Sequence, residues 1–243
     1  MMNVVVPMVG TSQFFDDAQY KFPKPLIEVS GKTMIELFFE NFKEIDKDIN
    51  YIFIVNKDDC RKFHLDNILN ILTSEKCEII KIGSPTKGAA CSVLMAIESI
   101  NNNTPLIIAN SDQYLDISIN NALIALEKYD AGVITFKSIH PRWSFVKLNE
   151  KNEVIETAEK KPISNEAIAG FYYFSSGEMF VHAAMEMIKK DSSVNNLYYI
   201  SPVYNELILT SKKLGVYHIE SKNYHTFYNP QKIKEYERSV ECQ

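Results

Sequence analysis

Apolar residues fall in short, dense blocks, separated by stretches where they recur every three or four positions. The first block, Asn3 to Val9, is nearly continuous in β-branched residues, the pattern of a strand buried on both faces. From Thr33 the period lengthens. Met34, Ile35, Leu37, Phe38, Phe42 and Ile45 trace one helical face, and Thr33 with Glu36 three positions on reads as a capping box. Tyr51–Val55 is a second buried strand, Phe63–Leu72 a helix and Cys77–Ile82 a third strand. Gly88 opens a helix running to Ile100 that is rich in small residues at its start. Pro105–Ala109, a helix over Asn120–Leu126 and a strand over Ala131–Phe136 continue the alternation. Repeated βα spacing predicts an α/β protein with a parallel, doubly wound sheet and right-handed crossovers.

After His140 the rhythm changes. Ser144–Leu148 and Val154–Ala158 read as short strands around a hairpin-like turn at Asn149-Glu150-Lys151-Asn152. Ile168–Phe174 is a further strand, followed by helices over Glu178–Ile188 and Pro202–Thr210. A strand over Gly215–Glu220 and a closing helix over Gln231–Tyr236 complete the chain. The pattern predicts a core over residues 1–140 with a mixed part, 141–243, packed against it as one domain.

The 243 residues suit one large domain, and 46% hydrophobic residues allow a substantial core. Only eight glycines leave no room for a long flexible linker. A formal net charge of -5 argues against a broad nucleic-acid surface, though a local basic pocket stays open. Cys60, Cys77, Cys91 and Cys242 form neither a CxxC pair nor a disulfide framework, as expected of reduced thiols in a cytoplasmic protein. No leader pattern and no run of about 20 apolar residues is present, so no membrane span is expected.

The candidate chemistry clusters at strand ends. The stretch from Val4 to Gly31 leaves a buried strand at Gly10, passes through Pro23-Lys24-Pro25 and returns to apolar sequence at Leu26-Ile27. A loop delivered by a buried strand is how open α/β sheets present phosphate sites. Two prolines hold Lys24 on a stiff rail, a cation placed for an anionic ligand or else a solvated lysine in an ordinary turn. Asn110-Ser111-Asp112 directly follows an apolar strand. Asp112 there suits Mg²⁺, which takes one or two carboxylates together with substrate phosphates; capping a turn is the plainer use. Gly88-Ala89 at a loop-to-helix junction offers backbone N–H groups to an anion or a base edge, or simply permits close helix–sheet packing. Glu159-Lys160 could pair an acceptor for ligand hydroxyls with a cation for a phosphate, although such a run is commonly a solvated surface. Phe171, Tyr172, Tyr173, Tyr198 and Tyr199 leave open an acceptor pocket, a homo-oligomer interface or plain core packing.

Together these stretches resemble the nucleotidylyltransferase family that activates sugar phosphates with a nucleoside triphosphate. VVPMVG…KFPKPLIEVSGKTMIE is similar to its opening signature and SPTKGAACSVLMA to its base-recognising segment. IIANSDQ stands where the family places a metal-binding aspartate. EKKP, IAGFYYF and YYISPVYNELI follow in family order. The resemblance implies a mixed, mostly parallel central sheet with helices on both faces, of the GT-A-like type, whose second half forms an acceptor-binding elaboration. By the same resemblance Gly10, Thr11 and Ser12 would lie under the nucleotide phosphates, Lys24 would contact them, and Gly88 and Ala89 would approach the base. Asn110 would contact substrate, and Asp112 would hold the metal, Mg²⁺. Glu159 and Gly170 would face the acceptor's hydroxyls and Lys160 its phosphate. The implied reaction joins a nucleoside triphosphate to a phosphorylated small-molecule acceptor with loss of pyrophosphate, for surface polysaccharide synthesis.

The chain departs from the family at two places. The loop Gly-x-Gly-Ser/Thr-Arg is Gly10-Thr11-Ser12-Gln13-Phe14 here, so Phe14 stands where the arginine would neutralise pyrophosphate. His225-Thr226-Phe227-Tyr228-Asn229-Pro230 lacks the second metal carboxylate; Lys21 and Lys32 are candidate replacements for the lost charge. These departures keep two other readings open: a glycosyltransferase using a sugar nucleotide, with Asp112 and Asp116 at the metal, or a non-catalytic binder of nucleotide or sugar phosphate.

Overall fold

The computed structural model describes residues 1–10, 14–15 and 19–241. In chain order its strands are β1 (Met2–Pro7), β2 (Glu28–Val29), β3 (Lys32–Thr33), β4 (Ile49–Asn56), β5 (Cys77–Ile82), β6 (Leu106–Ala109) and β7 (Gln113–Leu115). Then come β8 (Ala131–Lys137), β9 (Ser144–Leu148), β10 (Val154–Glu159), β11 (Glu166–Phe174), β12 (Leu214–Ile219) and β13 (Tyr224–Thr226). The α-helices are α1 (Met34–Glu40), α2 (Lys57–Phe63), α3 (Leu65–Leu72), α4 (Ala89–Leu94), α5 (Ile97–Ile100), α6 (Ile119–Leu126), α7 (Gly177–Lys189), α8 (Val203–Leu209) and α9 (Pro230–Glu241).

Nine strands form one mixed sheet. Its parallel block is ordered β5-β4-β1-β6. β11 lies antiparallel to β6 on one edge and to β8 on the other, and β12 runs parallel to β8. Where β6 stops at Ala109, β9 takes over the same edge of β11 by pairing with Glu166 and Ala167, and β10 closes against β9. All nine strands except β10 and β11 therefore point the same way. The sheet is mixed and mostly parallel, but not a simple doubly wound series, because β11 from the second half separates β6 from β8. Its central place follows from its residues: all nine positions of β11 are buried, as a strand with neighbours on both edges and layers on both faces requires.

Alternation along the strands divides the core between the two faces. Val4, Val6, Phe53, Val55 and Ile107 pack with Ile35 and Phe38 of α1, Leu65 and Leu69 of α3, and Leu123 of α6. Val5, Ile52, Ile54 and Ile108 face the other way, onto Ala90 and Val93 of α4, Phe180 and Met187 of α7, and Tyr204 of α8. A smaller cluster of Phe15, Ile27, Val29, Met34, Leu37, Phe227 and Ile233 ties α9 to the segment after the opening loop.

The capping box at Thr33 forms as expected. α1 nonetheless stops at Glu40 although the apolar period continues to Ile45. Asn41 spends its side chain on β7, accepting from Leu115 N at 2.8 Å, a tertiary contact that helical periodicity does not encode. α2 was not foreseen because only Cys60 of its seven residues is buried. Its signals are local: Asn56 caps Asp58 N, with Asp58 and Asp59 in the first turn and Arg61 and Lys62 in the last. The expected helix from Gly88 to Ile100 is split into α4 and α5. The β7–β13 ribbon, with Thr226 opposite Gln113, is also new relative to the sequence pattern. No helix is long and apolar enough to cross a membrane among the described residues.

Candidate active site

The carboxyl ends of β1, β4 and β6 point to one side of the sheet, as parallel neighbours must. A cleft of about 520 Å³ opens there, lined by Gly10, Lys24, Asn56, Asp59, Asn110 and Asp112 together with apolar residues of the flanking loops. Lys24–Leu26 form one turn of 3-10 helix rather than an extended rail. Pro23 is extended (φ -62°, ψ 151°), and Leu26 N donates to Pro23 O at 2.8 Å. Pro25 occupies the first turn, where its missing N–H costs nothing. The turn is nevertheless stiff, and it delivers the Lys24 ammonium to an ion pair with the Asp112 carboxylate. Each side chain keeps about a quarter of its surface exposed (23% and 25%), so the pair faces the cleft and not the core. Lys24 Nζ also lies 5.7 Å from the centroid of the Phe15 ring.

Asp112 is anchored through its backbone: its carbonyl accepts from Phe227 N at 2.8 Å, which brings the β13 segment alongside. Behind it, Tyr224 is half-buried and its hydroxyl donates to Gln113 Oε1 at 3.3 Å. Burial first, then the Asp112 carboxylate, pushes the Tyr224 phenol far up; Arg142 pulls weakly the other way. Tyr224 thus stays a neutral hydroxyl.

Gly170 marks the seam between the parallel block and the rest. It lies at φ +59° in the register break of β11, and a Cβ there would meet Asn110 Nδ2 and Gln113 Oε1 at 2.4 Å each. Its carbonyl accepts from Asn110 N and from Gln113 Nε2, both at 3.0 Å. Glycine is required here by both the left-handed backbone and the close approach.

A second polar cluster lies beyond the seam. Glu159, at the end of β10, accepts from the Ser144 hydroxyl and from Ser201 Oγ at 2.7 Å. Burial raises its carboxyl above the usual range, against the lowering effect of the two hydroxyls and Lys160. Lys160, at φ +55°, turns its ammonium the other way, 2.6 Å from Tyr199 Oη and 4.6 Å from that ring's centroid.

Gly10, Lys24, Asn110 and Asp112 thus share the cleft, Gly170 sits behind Asn110, and Glu159 with Lys160 forms the neighbouring cluster. Thr11 and Ser12 lie outside the described residues. Gly88 and Ala89 are not in the cleft lining. A Cβ on Gly88, at φ +111°, would meet the Tyr198 backbone oxygen at 2.4 Å. Tyr198 N donates to Lys87 O, and Tyr198 O accepts from Ala90 N. Gly88 therefore admits a chain crossing. Phe171, Tyr172 and Tyr173 are core residues. Lys32 is paired with Glu40 at 2.8 Å, and Lys21 is exposed outside the cleft lining. Among residues the sequence reading passed over, Asn56 and Asp59 line the cleft, and Ser144 and Ser201 hold Glu159. For Asn56 the signal was available: a polar residue directly after an apolar strand, the same cue that marks Asn110. Ser144 and Ser201 are 57 positions apart in the numbering and meet only through the fold.

The nucleotidyl transferase family pattern matches residues 19–214. No curated protein matches the sequence. Among solved structures, a nucleoside-diphosphate-sugar pyrophosphorylase from Vibrio cholerae is 24% identical. It superposes over 97% of this chain and 99% of its own with a TM-score of 0.84. A protein of Bacillus anthracis described as a glucose-1-phosphate thymidylyltransferase, in complex with sucrose, is 16% identical. It covers 99% of this chain and 95% of its own with a TM-score of 0.76. At these identities the likeness shows the fold.

Proposed function

The chain belongs to the nucleotidyl transferase family, and from that premise we propose that it joins a nucleoside triphosphate to a sugar phosphate or a similar small phosphate. An oxygen of the acceptor phosphate attacks the α-phosphorus in line. A new O–P bond forms, the bond from the α-phosphorus to the bridging oxygen breaks, and pyrophosphate leaves. The product is a nucleotide-activated precursor, for surface polysaccharide synthesis. The observation that carries this reading is the Lys24–Asp112 pair, preformed in a cleft at the carboxyl ends of parallel strands.

In this reading residues 1–140 supply the nucleotide side. Gly10, Thr11 and Ser12 pass under the phosphates, and Gly10 supports this because no described residue comes within 4 Å of a Cβ built there. Lys24 is the catalytic cation, since an ammonium on a rigid turn stabilises phosphate charge without reorganising. Gly88 and Ala89 border the base. Residues 141–243 supply the acceptor side, with Lys160 on its phosphate and Glu159 and Gly170 at its hydroxyls.

The donor set fits Mg²⁺. Asp112 provides one carboxylate beside Asn110 in an open polar cleft, and magnesium is commonly held by one or two carboxylates with phosphates completing its shell. Asp112 would hold it, and bound there the ion supplies further neutralisation of phosphate charge. Until ligands arrive, Lys24 and Asp112 satisfy one another; substrate binding gives each a new partner. The test is pyrophosphate release on incubation with each nucleoside triphosphate, Mg²⁺ and a panel of sugar and alcohol phosphates. Release with at least one pair is expected. No release with any pair, alongside transfer from a finished sugar nucleotide, would replace this reading with glycosyl transfer.

A further inference from the structure

We infer that Arg142 is a substrate-binding residue that takes a phosphate group between the two polar clusters. The inference rests on the proposed reaction, which brings a triphosphate and a second phosphate into a cleft whose Lys24 charge is already balanced by Asp112. A further cation beside Lys24 and Lys160 would share that charge, and its place is marked by the packing. Arg142 lies in the connection between β8 and β9. Its guanidinium carbon is 3.0 Å from the centroid of the Tyr228 ring and 4.9 Å from that of Trp143. Phe14 braces Tyr228 edge-on at 6.0 Å, and Trp143 does so at 6.4 Å. A guanidinium resting on aromatic faces is held in orientation by cation–π attraction and keeps its in-plane N–H fork for an acceptor. Phosphate matches that fork with two parallel hydrogen bonds.

The surroundings point the same way. Trp143 O accepts from Lys160 N at 3.0 Å, and the Trp143 ring stands 5.6 Å from Tyr224, whose hydroxyl reaches Gln113 beside Asp112. Arg142 therefore lies on the segment that links the acceptor cluster to the residues behind Asp112, outside the cleft lining itself. The arrangement repeats on a larger scale what the other two cations show, Lys24 near Phe15 and Lys160 on Tyr199. Phe14, at the loop position where a charge would be expected, instead contributes to the aromatic support of a charge from another segment.

Calorimetric binding of inorganic pyrophosphate and of glucose 1-phosphate to the full chain tests this, the first probing the triphosphate side and the second the acceptor side. Arg142→Gln is expected to weaken one probe roughly 10- to 100-fold with an unchanged melting temperature; the probe affected tells which phosphate Arg142 takes. Arg142→Lys is expected to recover only part, because an ammonium lacks the fork. Tyr228→Leu, which keeps the charge and removes its brace, should weaken the same probe severalfold. Wild-type affinity of Arg142→Gln for both probes would overturn the inference and leave the proposed reaction standing. A parent protein that binds neither probe would overturn both.

Discussion

The two polar clusters on either side of Gly170 solve the problem of a half-buried charge differently. At the ends of β1 and β6, Lys24 and Asp112 cancel each other while keeping contact with solvent. Solvent-facing pairs add little stability, typically about 0–1 kcal/mol, so stability alone does not account for this one; in the proposed function it holds two ligand-binding groups in place. Beyond the seam, Glu159 has no counter-charge in contact among the described residues. It is held by two serine hydroxyls, and burial raises its carboxyl despite them. Lys160, its neighbour in sequence, faces away onto Tyr199. One cluster is therefore an ion pair open to solvent, whereas the other is a carboxyl held by hydroxyls with a separate cation at its rim.

Asp112→Asn breaks the first cluster and should have the largest effect, a loss of roughly 10²- to 10³-fold in turnover with the fold retained. Pyrophosphate release by the variant checks this, and unchanged turnover would remove Asp112 from the site. Gly170→Ala strikes the seam itself. A Cβ at φ +59° against Asn110 and Gln113 should cost about 1–3 kcal/mol in denaturant unfolding, and parental stability would show that both side chains can step aside. Lys160→Ala should disturb only the second cluster, raising the acceptor KM roughly tenfold with the nucleotide KM unchanged. Equal changes in both constants would mean that the clusters are not functionally separate.

The smallest effect concerns pH. Because the Glu159 carboxyl is raised in the folded state, the native protein holds that proton more tightly than the unfolded chain does. Its favourable contribution is complete below the ordinary carboxylate range and is lost as pH rises through the raised value. Glu159→Gln should therefore gain stability relative to the parent as pH climbs through that window. Melting curves of both proteins across the acid-to-neutral range would show it, and a constant difference would contradict the assigned burial effect.

Much of the fold was legible because strands and helices announce themselves by period. The blocks at Ser144–Leu148 and Cys77–Ile82 coincide with β9 and β5, and the others shift by a few residues. The Asp112 and Lys24 sides of the site were legible too, since a polar residue after an apolar strand must emerge at the sheet's carboxyl edge. What escaped was set by distant partners: the end of α1 by Asn41 on β7, the use of Gly88 by the Tyr198 backbone, and the socket of Glu159 by Ser201.

The sequence by itself determined the α/β class and the strand-end placement of Asp112. These follow from local periodicity and from side-chain chemistry. Only the tertiary structure decided that Lys24 meets Asp112 across 88 positions, that β11 enters the centre of the sheet, and that Arg142 lies on Tyr228. Such pairings depend on which strand lies beside which, and strand order is a property of the whole packed sheet that no single segment carries.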